Sequence, residues 1–481
     1  MLGAWTPAAG QIMSFRVEAS ALPFVPLQSY VHGELGEEVL FFGGVSGQGM
    51  HHIGEGAGVV AYSLPVFNDQ IILVDQATSQ MFTGGVGHLS PELRDALRFT
   101  TPGYVQYGET LYIYGGYGPL NSGVEWTSKP SMTEVDLPMV RQALRDGVPV
   151  PEAAFTIHSV PEAQSAGSAM VKMGDKFALI GGSNFSGDYG LGNQPGAQPF
   201  TNIYTDRVFI FDRNVSMTSP VETFHDSFWL HRRDMQALPV TVGLGENERF
   251  GFTVPGGVFN GPFPWENPLI YADGDASVYT DEFFIQKMNQ YEGPHASFRS
   301  ASTDVNRVVL MSGISFQIWD EFDQDFFYDF LIPWVSEITE ITIADGQYVD
   351  GSEKIVGAMP LPTSNGHFVM RPNIPTNVNG QVLLDDMPHN EVLLGRVFGG
   401  ISAAYPAGEP PTFASSTVYD VYVTVGLRGD VTKDGSVGFA DLSVILGQFG
   451  TAGPEGDLNL DGVVDFADLS VVLSNFGSTA E

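Results

Sequence analysis

Apolar residues come along most of this chain in short runs that end in glycine: "VLFFGG" to Gly44, "LYIYGG" to Gly116, "FALIGG" to Gly182, "GFTVPGG" to Gly257, "VVLMSG" to Gly313 and "LGRVFGG" to Gly400. Runs of this length, rich in β-branched and aromatic residues and bounded by turn formers, predict strands. Others end on an acid, as in "IILVD" to Asp75 and "VFIFD" to Asp212. Paired glycines allow a sharp turn where a side chain would clash, and their spacing of roughly 55 to 87 residues is that of a repeated unit with long insertions. The period changes near the C-terminus. Phe439, Leu442, Ile445, Leu446 and Phe449, then Phe466, Leu469, Val472, Leu473 and Phe476, recur at helical spacing.

Each helical stripe follows a loop of spaced oxygen donors. "GDVTKDGSVGFADLSVILGQFG" from Gly429 and "GDLNLDGVVDFADLSVVLSNFG" from Gly456 match almost position for position, so the segment is an internal duplication. In the second copy Asp457, Asn459, Asp461, Asp465 and Asp468 fall at loop positions 1, 3, 5, 9 and 12, with Gly462 at 6 and the Val463 carbonyl at 7. A hard cation taking six or seven oxygens needs that arrangement. The first copy offers Asp430, Thr432, Asp434, Ser436 and Asp441, with Gly435 at position 6 and Gly438 at position 9, and is the less well furnished of the two. These residues resemble a type I dockerin, a small calcium module with two loop-helix motifs that plugs into a cohesin domain. Asp rather than Glu at position 12, and no helix ahead of either loop, separate it from a calmodulin-type hand. Positions 10 and 11 are Phe439-Ala440 and Phe466-Ala467, where cohesin-reading dockerins carry small hydroxyl residues. The resemblance implies calcium as cofactor, a domain over residues 428–481, and a cohesin-like or other cell-surface protein as partner.

The glycine-ended strands upstream resemble kelch repeats, which imply a β-propeller of four-stranded blades. Six units are counted over residues 1–427, with a seventh as the alternative because the interval from Gly313 to Gly399 is long. "WLHRRDMQALP", "IPWVSEITEITI" and "LLGRVFGGISA" are further similar to a group of secreted bacterial kelch-type proteins without an assigned activity, which implies export. In propellers an N-terminal strand usually completes the last blade. The segment "QIMSFRVEA" from Gln11 is expected to pair with "TVYDVYVTV" from Thr417.

Charge narrows the partners. With 21 Lys and Arg against 56 Asp and Glu, the net charge of −35 repels nucleic acid and anionic membranes. The chain has no cysteine, which removes disulfides, thiolate nucleophiles and the copper oxidases built on a tyrosine crosslinked to cysteine. No run is long enough to span a bilayer, so no membrane insertion is expected. "MLGAWTPAAG" lacks a signal peptide's basic start and apolar core, so any export signal is expected to have been removed.

Kelch units are about 50 residues, and the surplus here lies largely in the loops after the glycine pairs. Those loops carry His51, His52, Trp126, Phe185, Tyr189, Phe263, Trp265, Trp319, Phe322 and Tyr405, with Glu125, Asp188, Glu266, Asp320, Glu321 and Asp323 beside them. Aromatic faces stack on sugars and carboxylates accept their hydroxyls, so one face is a candidate glycan surface centred on Trp126, Tyr189, Trp265 and Trp319. A second candidate is "HRRD", His231, Arg232, Arg233 and Asp234, joined by His295 and Arg299 into an anion-binding or acid-base cluster. No sialidase box, GxSxG elbow, P-loop or HExxH occurs. The reading is therefore an extracellular, non-catalytic binding or scaffold protein, attached through its C-terminal module. The alternative is a polysaccharide hydrolase or lyase with its site on the same face.

Overall fold

The computed structural model describes residues 13–50, 62–189, 199–320, 322–323, 325–388, 391–408, 410–427, 429–432, 434–453, 456–458 and 463–479. Strands dominate, with four α-helices among the described residues. Six sheets follow one another along the chain, antiparallel except where Val382–Leu383 joins the fifth in parallel beside His295–Ser300. Sheet 1 comprises Val31–Leu35, Glu38–Phe42, Gln70–Asp75 and Gln80–Gly85; sheet 2 comprises Gly103–Tyr107, Thr110–Tyr114, Ser131–Asp136 and Phe155–Ser159. Sheet 3 takes Ala169–Met173, Lys176–Ile180, Arg207–Asp212 and Glu222–His225; sheet 4 takes Leu238–Val242, Arg249–Val254, Leu269–Ala272 and Tyr279–Thr280. Sheet 5 is built on His295–Ser300, Val305–Ile314 and Trp334–Ala344, whose outer edge is shared by Gln347–Tyr348 and Lys354–Ala358. Sheet 6 holds His367–Met370, Glu391–Phe398 and Val418–Val425, and its fourth strand is Met13–Ala19, paired from Met13 with Val425 to Ala19 with Tyr419. The interval from Gly313 to Gly399 is filled by the rest of sheet 5, a crossing loop and the first strands of sheet 6; among the described residues it holds no additional four-stranded sheet.

The apolar runs are continuous rather than alternating because each strand is covered on both faces. Leu40, Phe42, Ile71 and Leu73 of sheet 1 pack on Leu111, Ile113 and Val135 of sheet 2. Their neighbours Val39, Phe41, Ile72 and Val74 point the other way, onto Val369, Phe398 and Val418 of sheet 6. The same sharing joins sheet 2 to sheet 3 through Tyr114, Met132, Phe177 and Phe211, and sheet 3 to sheet 4 through Ile180, Ile210, Phe252 and Tyr271. Val240 and Ile270 meet Val308 and Ile341 between sheets 4 and 5, and Phe298 and Val309 meet Val397 and Val421 between sheets 5 and 6. Helices α1 (Pro91–Leu97) and α2 (Leu137–Asp146) cap the first of these cores with Leu93, Leu97, Leu137, Val140 and Leu144.

The glycine pairs end the second strand of their sheets and lie against the chain that enters the next sheet. Gly44 N–H donates to Phe99 O at 2.9 Å, Gly116 to Ser165 O at 2.8 Å, Gly182 to Arg232 O at 2.8 Å and Gly400 to Leu27 O at 2.8 Å. Ser312, with φ of 67°, takes the first position of the pair in sheet 5. Just ahead of the first strand of each of the six sheets stands a residue in the left-handed region: Ser29, Thr101, Gly167, Asp234, Glu292 and Asn365, with φ between 47° and 65°. Their amides run from unit to unit. Thr101 donates to Ser29 O, Gly167 to Thr101 O, Asp234 to Gly167 O, Asn365 to Glu292 O, and Ser29 back to Asn365 O, at 2.7 to 3.3 Å.

Beyond the glycine pairs the inserted loops form smaller sheets of their own. Tyr117–Leu120, Glu125–Ser128, Ser183–Ser186 and Thr201–Tyr204 join the insertions of sheets 2 and 3, and Gln317–Asp320 with Asp325–Tyr328 makes a separate hairpin. At the opposite ends of the sheets the loop after Met370 crosses to sheets 3, 4 and 5. Gly174 N–H donates to Asn379 Oδ1 at 2.5 Å, Thr241 Oγ1 to Gln381 Oε1 at 2.6 Å, and Gln381 Nε2 to Asn306 Oδ1 at 3.0 Å.

After Leu427, helices α3 (Phe439–Gln448) and α4 (Phe466–Ser474) pack around Val437, Ile445, Val464 and Val472. The duplication shows as two equivalent ring contacts, Phe439 with Phe476 and Phe449 with Phe466, at centroid separations of 5.1 and 5.0 Å. The segment's ends are fastened by Val437 N–H to Ser478 O at 2.9 Å and Gly477 N–H to Val437 O at 2.8 Å.

Candidate functional site

The six left-handed residues each precede the first strand of a sheet. Five of them, Ser29, Thr101, Asp234, Glu292 and Asn365, line both of two stacked cavities and so form the layer between them. The upper cavity, about 320 Å³, lies among the post-glycine loops, and its wall is aromatic: Tyr62, Tyr117, Phe185, Tyr189, Phe259 and Tyr291. Arg233, Asp234, Glu292 and Asn365 supply its polar groups. A mostly apolar concavity with a few converging polar groups is the usual form of a small-ligand site.

Arg233 is buried, with its guanidinium 5.0 Å from the Phe185 ring centre and 5.4 Å from that of Phe259. Its Nε stands 3.3 Å from Asp234 Oδ2. Burial works against the guanidinium's charge, but Asp234 and the surrounding tyrosine oxygens outweigh it, and the pKa rises. Glu292 accepts from Asn365 Nδ2 at 2.5 Å, and Ser29 Oγ donates to Asn365 Oδ1 at 2.9 Å. Asp234 and Glu292 both line the cavity. Burial raises both pKa values, and the second carboxylate adds to the effect on Glu292, which lies well above the usual range. Tyr189 is pushed up to about 12 by burial.

The lower cavity, about 180 Å³, is lined by Tyr30, Tyr104, Gln236, His295 and His367. Tyr104 OH lies 2.7 Å from His367 Nδ1 and 3.0 Å from His32 Nδ1, and His32 Nε2 lies 3.3 Å from Glu34 Oε1. Desolvation lowers the pKa of His295, and lowers that of His367 well below its ordinary value with the other two imidazoles contributing. Among the described residues no three His, Cys, Asp or Glu side chains are gathered to hold a metal ion.

The residues singled out from the sequence are divided by the fold. Tyr189, Arg233 and Asp234 meet in the upper cavity, with Phe185 in its wall, and His295 faces the lower one together with Asp234. Arg232 is 1% exposed and bonds Trp229 O and Gly256 O beneath Trp265. His231 stacks on Tyr204 and bonds Asp206 at 2.8 Å, while Arg299 bonds Asp304 and Gly243 O. These three side chains brace the fold. The tryptophans do not assemble on a shared surface. Trp265 is 2% exposed and donates its indole N–H to His231 O, Trp126 packs on Phe67 and Tyr117, and Trp319 packs on Phe326 of its own hairpin. Glu266 accepts from Gln317 and Tyr328, Phe263 stacks on Phe316, and Phe322 and Tyr405 stay exposed. His51, His52 and Glu321 lie outside the described residues. Glu292, Asn365, Tyr62, Tyr117 and Tyr291 carry no motif of their own in the sequence, although "QYEGPH" leads into His295–Ser300 as "HRRDMQALP" leads into Leu238–Val242.

In the C-terminal loops the carboxylates at positions 1 and 12 are buried: Asp430 and Asp441 in the first, Asp457 and Asp468 in the second. Asp430 accepts from the amides of Asp434 and Gly435, and Asp441 from Thr432 N–H, Thr432 Oγ1 and Gly438 N–H. Burial opposes the charge on Asp441, but those donors outweigh it and hold the pKa below the usual carboxylate range. Asp468 accepts from Leu458 and Asp465 N–H, and Asp465 from Ala467 N–H. Ser436 caps Asp434, Val463 is partly exposed, and Asn459 and Asp461 lie outside the described residues. Carboxyl oxygens buried at loop positions 1 and 12 are of the type a hard cation takes as ligands.

Comparisons with known proteins place the chain in no family. No family profile matches it, and no curated protein does. Among solved structures, that of YjhT is similar over 84% of this chain and 99% of its own length, at 10% identity and a TM-score of 0.45. A likeness of that degree bears on neither the fold nor the site.

Proposed function

We propose that the six sheets are the blades of a kelch-type β-propeller and that the protein binds a small glycan in the upper axial cavity. The ring reading is supported by the six shared cores, by Met13–Ala19 completing sheet 6, and by the amide series through the six left-handed residues. The observation that carries the binding reading is the cavity itself: tyrosine and phenylalanine rings stand around a polar group of Arg233, Asp234, Glu292 and Asn365. Rings stack on the apolar faces of sugars and the polar groups take their hydroxyls.

The enzyme alternative draws on the two neighbouring carboxyls. A glycosidase needs its two carboxyls free to act on the sugar and a water, whereas Glu292 accepts from Asn365 Nδ2 and Asp234 lies against Arg233 Nε. Binding is the reading these partners favour.

The C-terminal segment is proposed as a dockerin-like module that takes calcium at its two loops and attaches the propeller to a cohesin-like or cell-surface protein outside the cell. When bound, calcium would neutralise the carboxylates of Asp430, Asp434 and Asp441 and of their counterparts in the second loop. No helix among the described residues is long and apolar enough to cross a membrane.

An array of short glycans tests the binding reading. The intact protein should retain at least one of them, and Tyr189→Ala should weaken that retention about tenfold. Retention of none, or equal retention by the variant, refutes it.

A further inference from the structure

In the lower cavity the hydrogens of the wall are committed and several lone pairs are not. Tyr30 OH donates to Phe398 O, Gln236 Nε2 to the carbonyls of Gln290 and Gly293, and Asn365 Nδ2 to Glu292. His295 Nδ1 lies 3.1 Å from Gly293 O, an oxygen that can only accept, so the ring's proton sits on Nδ1 and Nε2 is a bare acceptor.

A chain of contacts makes the same assignment for His367. His32 Nε2 stands 3.3 Å from Glu34 Oε1, and a carboxylate oxygen facing an imidazole nitrogen calls for an N–H. A neutral His32 with its proton on Nε2 takes the phenolic hydrogen of Tyr104 at Nδ1, 3.0 Å away. Tyr104 then has no hydrogen left for His367 Nδ1 at 2.7 Å, so that nitrogen carries a proton and donates to the phenol oxygen. His367 Nε2 is thereby bare as well.

Neither Nε2 has a hydrogen-bond partner among the described residues, and Oε1 of Gln236, a residue 2% exposed, has none either. Desolvation lowers the pKa of both histidines, which keeps these nitrogens unprotonated. Acceptors without donors around a space of about 180 Å³ call for a group rich in N–H and poor in lone pairs. A hydroxyl brings one donor and two lone pairs, whereas a primary ammonium brings three donors and no acceptor. His295 and Phe368 also line a neighbouring cavity of about 390 Å³ with Leu238, Met370 and Ile374 in its wall, which gives apolar cover to a short alkyl chain.

We propose that the lower cavity is a second binding site, for a primary alkylammonium group held by His295 Nε2, His367 Nε2 and Gln236 Oε1. The probe is n-butylammonium, titrated calorimetrically into the intact protein at pH 8. Its controls are tetramethylammonium, which has the charge without the donors, and n-butanol, which has the chain without the ammonium. Butylammonium should bind at least tenfold more tightly than either. His295→Phe and His367→Phe should each weaken it about tenfold and leave tetramethylammonium unchanged. Equal affinity for butylammonium and tetramethylammonium, no binding of butylammonium, or an unchanged affinity in either variant overturns the assignment. Nitrogen-15 NMR of the native protein checks the tautomers without a variant. Both rings should show an unprotonated Nε2 whose resonance shifts on adding butylammonium, and an Nε2–H form of either ring in the ligand-free protein overturns the argument. None of these results bears on glycan retention in the upper cavity.

Discussion

Replacing Gly44 by Ala measures how far the glycine pairs are dictated by close approach rather than by turn geometry alone. Gly44 has φ of 82°, and a Cβ there would stand 2.5 Å from Gln28 O and 2.9 Å from Tyr30 Cβ. Gly36, in the first turn of the same sheet, has φ of 65° and nothing within 4 Å of its added Cβ. Both substitutions force an alanine to hold a left-handed backbone, which costs about 1 kcal/mol. Only Gly44→Ala also brings a collision with main chain, and neither party yields easily: Gln28 is laddered to Val45, and Gly44 N–H is spent on Phe99 O. Relief of such a contact by backbone movement adds about 2 to 3 kcal/mol, for a total of about 3 to 4. Urea unfolding followed by tryptophan fluorescence is the assay. The last of the six tryptophans is Trp334, so the C-terminal module is silent in it. The midpoint shift for Gly44→Ala should be about three times that for Gly36→Ala. Equal shifts would refute the argument that the glycine is there to let the chain entering its own sheet, at Gln28 and Tyr30, approach.

A peptide of residues 429–477 should gain helix on adding calcium and lose it with EDTA, as followed by circular dichroism, with Asp457→Ala more harmful than Asp430→Ala; equal helix in EDTA refutes the coupling of metal to folding. Glu353, half-buried and accepting the amides of Lys287 and Met288, is raised from 4.5 to about 7 chiefly by desolvation. Between those values the folded chain holds a proton that the unfolded chain has lost, so stability falls as pH rises through the window, by about 3 kcal/mol in all. Glu353→Gln should flatten urea midpoints compared between pH 5 and 7.5, and an unchanged slope refutes this. Trp265→Ala should cost about 3 to 5 kcal/mol as a core truncation, whereas Trp319→Ala on its hairpin should leave the urea midpoint nearly unmoved; the reverse order would refute the placement of the two rings.

Local pattern by itself determined the strands, the glycine-ended units and the duplicated acidic loops. A run such as "VLFFGG" carries its own instructions, since four apolar residues in a row need cover on both faces and glycine takes a positive φ without a Cβ clash. The loop positions from Asp430 to Asp441 are equally local, because all of them lie in one short segment. The pairing of Met13–Ala19 with Val418–Val425 was also legible, as two compatible strands at the chain's extremes. The upper cavity was not. Asp234, Glu292 and Asn365 stand ahead of the first strands of three different sheets, and nothing near any one of them in sequence distinguishes a residue that lines the cavity from one in another turn. The tryptophans illustrate the converse. Trp265 and Trp319 occupy comparable places after their glycine-ended strands, yet one is sealed beneath Phe228 and Trp229 and the other lies on a hairpin. Whether a ring becomes a wall, a core or a surface depends on which neighbouring sheet reaches it, and that is decided only when distant units pack together.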